Sequence, residues 1–210
     1  MRVILAEKPS VAQSIAAVLG ADQKKNGYLQ GENDIVSWCI GHLIELAPPE
    51  IYDARYAKWR REDLPIVPSA WESVVSDGTK KQFAVLKDLL NRTDVDEVVC
   101  ATDAGREGEL IFRMVYEKTG CTKPVKRLWI SSLEESAIRA GFQALKPGTV
   151  YDALYRAALC RAQADWLVGI NGTRLYSRLY GTKLNVGRVM TPTLAMVAQR
   201  EKEIAAFQVE

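Results

Sequence analysis

Apolar positions along this chain alternate between two spacings. Short, largely β-branched runs at Val3–Ala6, Ile35–Ile40, Ile44–Leu46, Val98–Cys100 and Val125–Ile130 read as buried strands. Between them, apolar residues recur at helical spacing: Val11, Ile15, Val18 and Leu19; then Phe83, Leu86, Leu89 and Leu90; then Leu110, Ile111, Met114 and Val115. Ser10 with Gln13, and Ser132 with Glu135, fit capping boxes, and the second opens a helix over 133–145. Gly20 fits a helix stop. Strands that alternate with helices predict parallel pairing through right-handed crossovers. Residues 1–146 therefore read as an α/β domain with a mainly parallel sheet. Lys146-Pro147-Gly148 breaks the pattern, and Tyr151 to about Leu179 is helical with no strand signal. Thr191 is the expected N-cap of a last helix, with Pro192 at its first position, running to about Phe207. Residues 147–210 thus read as a helical segment.

The chemistry concentrates where strands give way to helices. Thr102-Asp103-Ala104-Gly105-Arg106-Glu107-Gly108-Glu109 lies between a strand's carboxyl end and a helix's amino end, where open α/β sheets bind ligands. If residues 103–107 continue extended, Asp103, Gly105 and Glu107 project to one side. Paired carboxylates repel, and a hard divalent cation would relieve that. The same residues also fit a simpler role, with Asp103 as a helix cap and Glu107 and Glu109 offsetting the macrodipole. Glu7-Lys8-Pro9-Ser10 repeats the arrangement at the first strand, so neighbouring strands would bring Glu7, Asp103 and Glu107 together. Lys8 beside them is a point charge suited to a phosphate, or a solvated lysine. His42, the one histidine, suits acid–base chemistry, phosphate binding or a structural role.

Pro48 to Pro68 reads as a long ordered loop pinned by Tyr52, Tyr56 and Trp59. Its Lys58-Trp59-Arg60-Arg61 cluster suits a phosphate backbone with a ring for stacking, or a charged loop anchored by aromatics. Arg156, Arg161, Arg174 and Arg178 line the helical segment, with Gln163, Asp165 and Asn171 between them, and Arg161 can pair with Asp165 four residues on. Composition changes the picture little. Of 210 residues, 48% are hydrophobic and 26% charged, with a net charge of +2, so any basic surface must be local. Four scattered cysteines without a CxxC pair argue against zinc and for reduced thiols in a cytoplasm. The amino terminus has too short an apolar run for a signal peptide, and no run approaches a membrane span. No GxxxxGK[ST] phosphate loop is present.

Six ordered blocks carry a resemblance: AEKPSVAQSIA, GHLIELAPPEIYDARYAKWRREDLPIVP, ATDAGREGELIFR, KRLWISSL, CRAQADWLVGINGTRLYS and GRVMTPTLAMVAQREKEI. Together they closely resemble the amino-terminal part of bacterial type IA DNA topoisomerases, the topoisomerase III group most of all. The resemblance implies a Toprim metal-binding domain over 1–146 and, over 147–210, the start of a helical domain that grips single-stranded DNA. It implies Mg²⁺ on Glu7, Asp103 and Glu107, with Lys8 at the scissile phosphate. It places Lys8, Arg161, Gln163, Asp165, Arg174, Arg188 and Thr191 at DNA-binding positions. The implied protein is a cytoplasmic monomer that cuts one strand without ATP, through a 5′-phosphotyrosine. Gly105 stands where the family usually has a second Asp, and Met190 where many relatives have Gln. None of the eight tyrosines has the sequence context of the family's nucleophile, so the resemblance implies an amino-terminal fragment. The alternatives are a Toprim nuclease or primase, which needs no tyrosine, and a DNA-binding module without catalysis.

Overall fold

The computed structural model describes residues 1–208. In chain order its elements are β1 (Arg2–Ala6), α1 (Pro9–Leu19), β2 (Gln23–Lys25), β3 (Tyr28–Gln30), β4 (Asp34–Trp38), β5 (Ile44–Leu46), α2 (Pro49–Tyr52), β6 (Ser73–Val75), α3 (Lys80–Leu90), β7 (Glu97–Ala101), α4 (Arg106–Thr119), β8 (Val125–Arg127), α5 (Glu135–Gln143), β9 (Lys146–Pro147), α6 (Asp152–Tyr180) and α7 (Met190–Ala205). By packing, the chain forms two compact units, Met1–Glu45 with Ser73–Cys160, and Leu46–Glu72 with Arg161 onward. The division expected at 146/147 lies inside the first unit.

The first unit is built on a seven-stranded sheet in the order β2-β3-β4-β1-β7-β8-β9. Its four central strands are parallel, and both flanks are antiparallel. The β-branched runs form the centre because strands buried on both faces have no polar side. Alternate residues face opposite helical layers. Ile4, Ala6, Val36, Val99 and Ala101 pack with Val11 and Ile15 of α1 and Ile138 of α5. On the other face Ser37 of β4 meets Gln82 of α3, whose amide also donates to the carbonyls of Gly27 and Trp38. Phe112, Leu86 and Leu90 are fully buried, each worth roughly 1.5–3 kcal/mol.

The caps differ from the expectation. Pro9 takes the first position of α1, so Lys8 is the N-cap and Ser10 lies inside the helix. The hydroxyl of Ser132 accepts from the Glu134 N–H, one residue outside α5. Thr191 lies inside α7, whose N-cap is Val189, and its hydroxyl accepts instead from the Gly187 N–H at 3.0 Å. Pro192 is still in the first turn of α7, where a missing N–H costs nothing.

In the second unit, α6 holds the 46–72 segment by its side chains. The Asn171 amide clasps Ile66, donating to its carbonyl at 2.9 Å and accepting from its N–H at 2.6 Å. The Trp166 indole N–H donates to the Ala47 carbonyl, and its ring meets Tyr52 and Trp71 edge-on. The segment expected as an ordered loop is therefore ordered, with a short helix and two 3₁₀ turns. Among the described residues, no helix is long and apolar enough to cross a membrane.

Candidate metal and phosphate site

β1 and β7 lie side by side in parallel, with Ala6 opposite Ala101. Glu7 and Asp103 therefore leave the sheet at the same edge, beyond the strands' carboxyl ends. The Asp103 N–H donates to Glu7 Oε2 at 3.1 Å. Lys8, Asp103, Ser131 and Ser132 line one cavity of about 300 Å³. Strand adjacency, which the sequence left conditional, is what joins these groups.

Glu107 is placed differently from the extended reading. Gly105 is the N-cap of α4, and Glu107 stands in the first helical turn. The alternation of 103, 105 and 107 along a strand does not hold, because β7 ends at Ala101 and the chain turns directly into a helix. Asp103 does not cap α4, since the N-cap falls two residues later. Glu107 sits where a carboxylate offsets the helix dipole, and its Oε2 lies 3.8 Å from Nε2 of the exposed His42. Among the described residues, no group of three or more His, Cys, Asp or Glu is gathered as a metal site. The donors themselves fit a hard cation. The Glu7 carboxylate lies against the Asp103 backbone, and Mg²⁺ commonly takes only one or two carboxylates from protein, with water and phosphate oxygens as the rest.

Beneath this edge lies a buried charged cluster; the sequence pattern marks Glu109 only as a first-turn charge against the helix dipole and does not single out Arg127. Arg127 of β8 is fully buried, and so is Glu109 of α4. Arg127 Nε lies 3.1 Å from Glu109 Oε2, an ion pair without hydrogen-bond alignment. The Arg127 guanidinium donates to the carbonyls of Cys100, Thr102, Leu128 and Asp103, at 2.7–3.1 Å. Glu109 also accepts from Arg113, which donates onward to Asp152 and to the Gly148 carbonyl. Burial pulls the Arg113 guanidinium down, and the Asp152 and Glu109 carboxylates more than offset it. Removing one partner of a buried pair costs about 3–5 kcal/mol. A signal existed in the sequence. Arg127 follows Val125 at the two-residue spacing of one strand face, and Glu109 adjoins the apolar run of α4.

Gly108 explains another part of the motif. A Cβ there would run into the backbone carbonyl oxygen of Asp103. The Gly108 carbonyl accepts from the buried Thr102 hydroxyl at 2.8 Å, so α4 and the loop touch backbone to backbone.

The second unit gathers its own polar set. Asp165 receives Arg188 at 2.6 Å and Arg161 at 3.7 Å, so one carboxylate orients both cations. Gln163 is half-buried on the same helix, and Thr191 is exposed. Arg174 is placed otherwise than a residue free to touch DNA would be. It is buried, donates to the Tyr56 carbonyl at 2.7 Å and lies over the Trp59 ring. Burial holds its guanidinium below the usual range. Beside it, Lys58, Arg178 and Lys183 surround Trp59 in an open cavity of about 490 Å³.

Residues 2–133 match the Toprim domain family. The chain belongs to that family. Glu7, Asp103 and Glu107 all fall inside the Toprim match, as do the buried Arg127 and Glu109. Residues 149–210 match a second family, described as DNA topoisomerase. Beyond the Toprim region the likeness continues along almost the whole chain. It is 52% identical over 208 residues to DNA topoisomerase 3 of Bacillus thuringiensis strain Al Hakam, covering 99% of this chain and 28% of the relative. It is 53% identical over 205 residues to DNA topoisomerase 3 of Bacillus subtilis strain 168, again 28% of that protein. The chain thus spans a little over a quarter of the curated relatives it matches. Among solved structures it resembles full-length topoisomerase I from Thermotoga maritima, with a TM-score of 0.68 and 26% identity, over 98% of this chain and 31% of that one.

Proposed function

We propose that this chain supplies the metal- and DNA-handling part of a type IA DNA topoisomerase. Such an enzyme breaks one DNA strand without ATP, passes another through the gap and rejoins it by way of a 5′-phosphotyrosine. The nucleophile would be a tyrosine that none of the eight here provides, since none has the required context. The observation that carries the reading is the Asp103 N–H on the Glu7 carboxylate, with Lys8 in the same cavity as Asp103.

Glu7 and Asp103, with Glu107 from the next turn, would hold Mg²⁺. When bound, the ion supplies positive charge against phosphate oxygens. The chain's own groups do the rest. The Asp103 N–H fixes the Glu7 carboxylate in one orientation. Lys8, exposed at the N-cap of α1, offers a mobile ammonium to a phosphate oxygen lodged in the cavity. Ser131 and Ser132 line the same wall.

In the second unit, Arg161 and Arg188, oriented by Asp165, would contact the backbone of single-stranded DNA, with Gln163 and Thr191 adding neutral hydrogen bonds. Arg174 shapes the surface by holding Tyr56 and backing Trp59. This reading places the protein in the cytoplasm as a monomer.

The test uses the chain with an end-labelled single-stranded oligonucleotide, with and without Mg²⁺. Binding without cutting is expected. Mg²⁺-dependent cutting, lost on Glu7→Ala or Asp103→Ala, would replace the topoisomerase reading with a nuclease. Absence of binding would remove the DNA role. Plasmid relaxation by this chain would refute the assignment of the nucleophile elsewhere.

A further inference from the structure

We infer that Arg127 is a positioning residue for the cation site, and that Glu109 keeps its charge from repelling the cation. The inference rests on the metal reading of Glu7 and Asp103. Its substance is how Asp103 is held. The Asp103 N–H is fixed by Glu7, and the Asp103 carbonyl by Arg127 Nη2 at 2.7 Å. Both peptide groups flanking the Asp103 Cα are therefore anchored, which fixes the direction in which its Cα–Cβ bond leaves the backbone. The same guanidinium holds the carbonyls of Cys100 and Thr102, the residues that lead into the loop.

An arginine serving only to neutralise Glu109 would spend its donors on that carboxylate. This one donates its terminal-nitrogen hydrogen bonds to backbone carbonyls and approaches Glu109 with Nε, without a hydrogen bond. Only a planar fork can do this, because a lysine ammonium is a single point with three donors. The Arg127 and Glu109 side chains are dry, although the Asp103 loop they hold is exposed. Arg127 is 1% exposed and Glu109 is 1% exposed, so the interaction persists through solvent fluctuations that would loosen a surface clasp.

Charge supplies the second half. A buried guanidinium directly under a cation site opposes cation binding. The Glu109 carboxylate at 3.1 Å cancels that charge locally. The loop thus gains the grip of an arginine without its field. Glu109→Gln keeps the shape and exposes the field; Arg127→Lys keeps the charge and loses the grip.

The experiment measures binding of Mn²⁺, as a paramagnetic stand-in for Mg²⁺, through the loss of its free-ion resonance. The variants are Arg127→Lys, Glu109→Gln and Asp103→Asn. Ile138→Val is the control, a buried residue of α5 on the opposite helical layer from α4. Far-UV circular dichroism and thermal melts report folding. Arg127→Lys and Glu109→Gln should each weaken Mn²⁺ binding at least tenfold with helix content unchanged, while Ile138→Val lowers the melting temperature and leaves binding alone. Binding within twofold of wild type in a folded Arg127→Lys, together with an unaffected Glu109→Gln, would overturn the inference and leave the metal reading standing. Should Arg127→Lys not fold, Glu109→Gln decides by itself. Undiminished binding in Asp103→Asn, or none in the wild type, would fail the metal reading, and this inference with it.

Discussion

Gly108 shows how much one missing methyl group can decide. Helix propensity alone says that Gly108→Ala should stabilise α4 by about 1 kcal/mol. The added Cβ would instead meet the carbonyl oxygen and amide nitrogen of Asp103, and backbone cannot rotate away as a flexible side chain can. Forced overpacking of this kind costs about 1–3 kcal/mol, so the net change should be destabilising. A thermal melt of the variant should show a lower midpoint, and its Mn²⁺ binding should weaken because the displaced residue is Asp103. A midpoint at or above wild type would mean that the loop yields. Nothing in the local pattern announces this requirement. The glycine reads as one small residue in an acidic turn, and only the approach of α4 to the loop makes it necessary.

At the scale of an element, β7 carries a testable pH dependence. Burial pushes the Cys100 thiol up to about 11, against a partial lowering by the Arg127 guanidinium. Cys39, buried beyond the end of β4, is raised as well, chiefly by desolvation. A folded-state value above the unfolded one means that the folded chain binds more protons between the two. Stability from Cys100 is therefore complete below about pH 9 and falls as pH rises to about 11. The loss from that thiol is on the order of 2–3 kcal/mol. Urea midpoints measured from pH 8 to 11 should fall steeply in wild type and less in Cys100→Ala; equal slopes would contradict the burial argument. Of the four cysteines only Cys160 is exposed, so one equivalent of maleimide should label the folded chain. The cysteines' scatter in sequence hinted at reduced thiols, but which three are sealed depends on packing.

For the whole chain, a net charge of +2 conceals local fields. Lys58, Arg178 and Lys183 surround the half-buried Trp59 in an open cavity of the second unit, and they derive from segments more than a hundred residues apart. Reversing all three to glutamate should weaken single-stranded DNA binding and reduce the salt slope by roughly 0.7 for each phosphate the cavity no longer neutralises. A matching reversal of Lys24 and Lys25, on the exposed edge strand β2, should change neither. Equal weakening in both variants would point to diffuse attraction instead of a track along Trp59.

Much of this protein was legible in its sequence because the relevant physics is local. Buried β-branched runs and helical spacings predicted the α/β alternation, since a strand covered on both faces has no polar period and a helix has one of 3.6 residues. Charged residues just past the strands at Glu7 and Asp103 marked the edge where a site could form. What the tertiary structure alone decided is which strands are neighbours, and with that everything involving two segments. β1 beside β7 sets Glu7 against the Asp103 N–H. The immediate turn into α4 puts Glu107 on a helix rather than a strand. Arg127 and Glu109, unremarkable as single charged residues, become a dry clasp only where β8 meets α4. Residues 46–72 group with residues after 161 because Asn171 and Trp166 hold them there. Sequence patterns report the period and polarity of each segment; the pairing of distant segments depends on the closure of the whole chain, which no local pattern encodes.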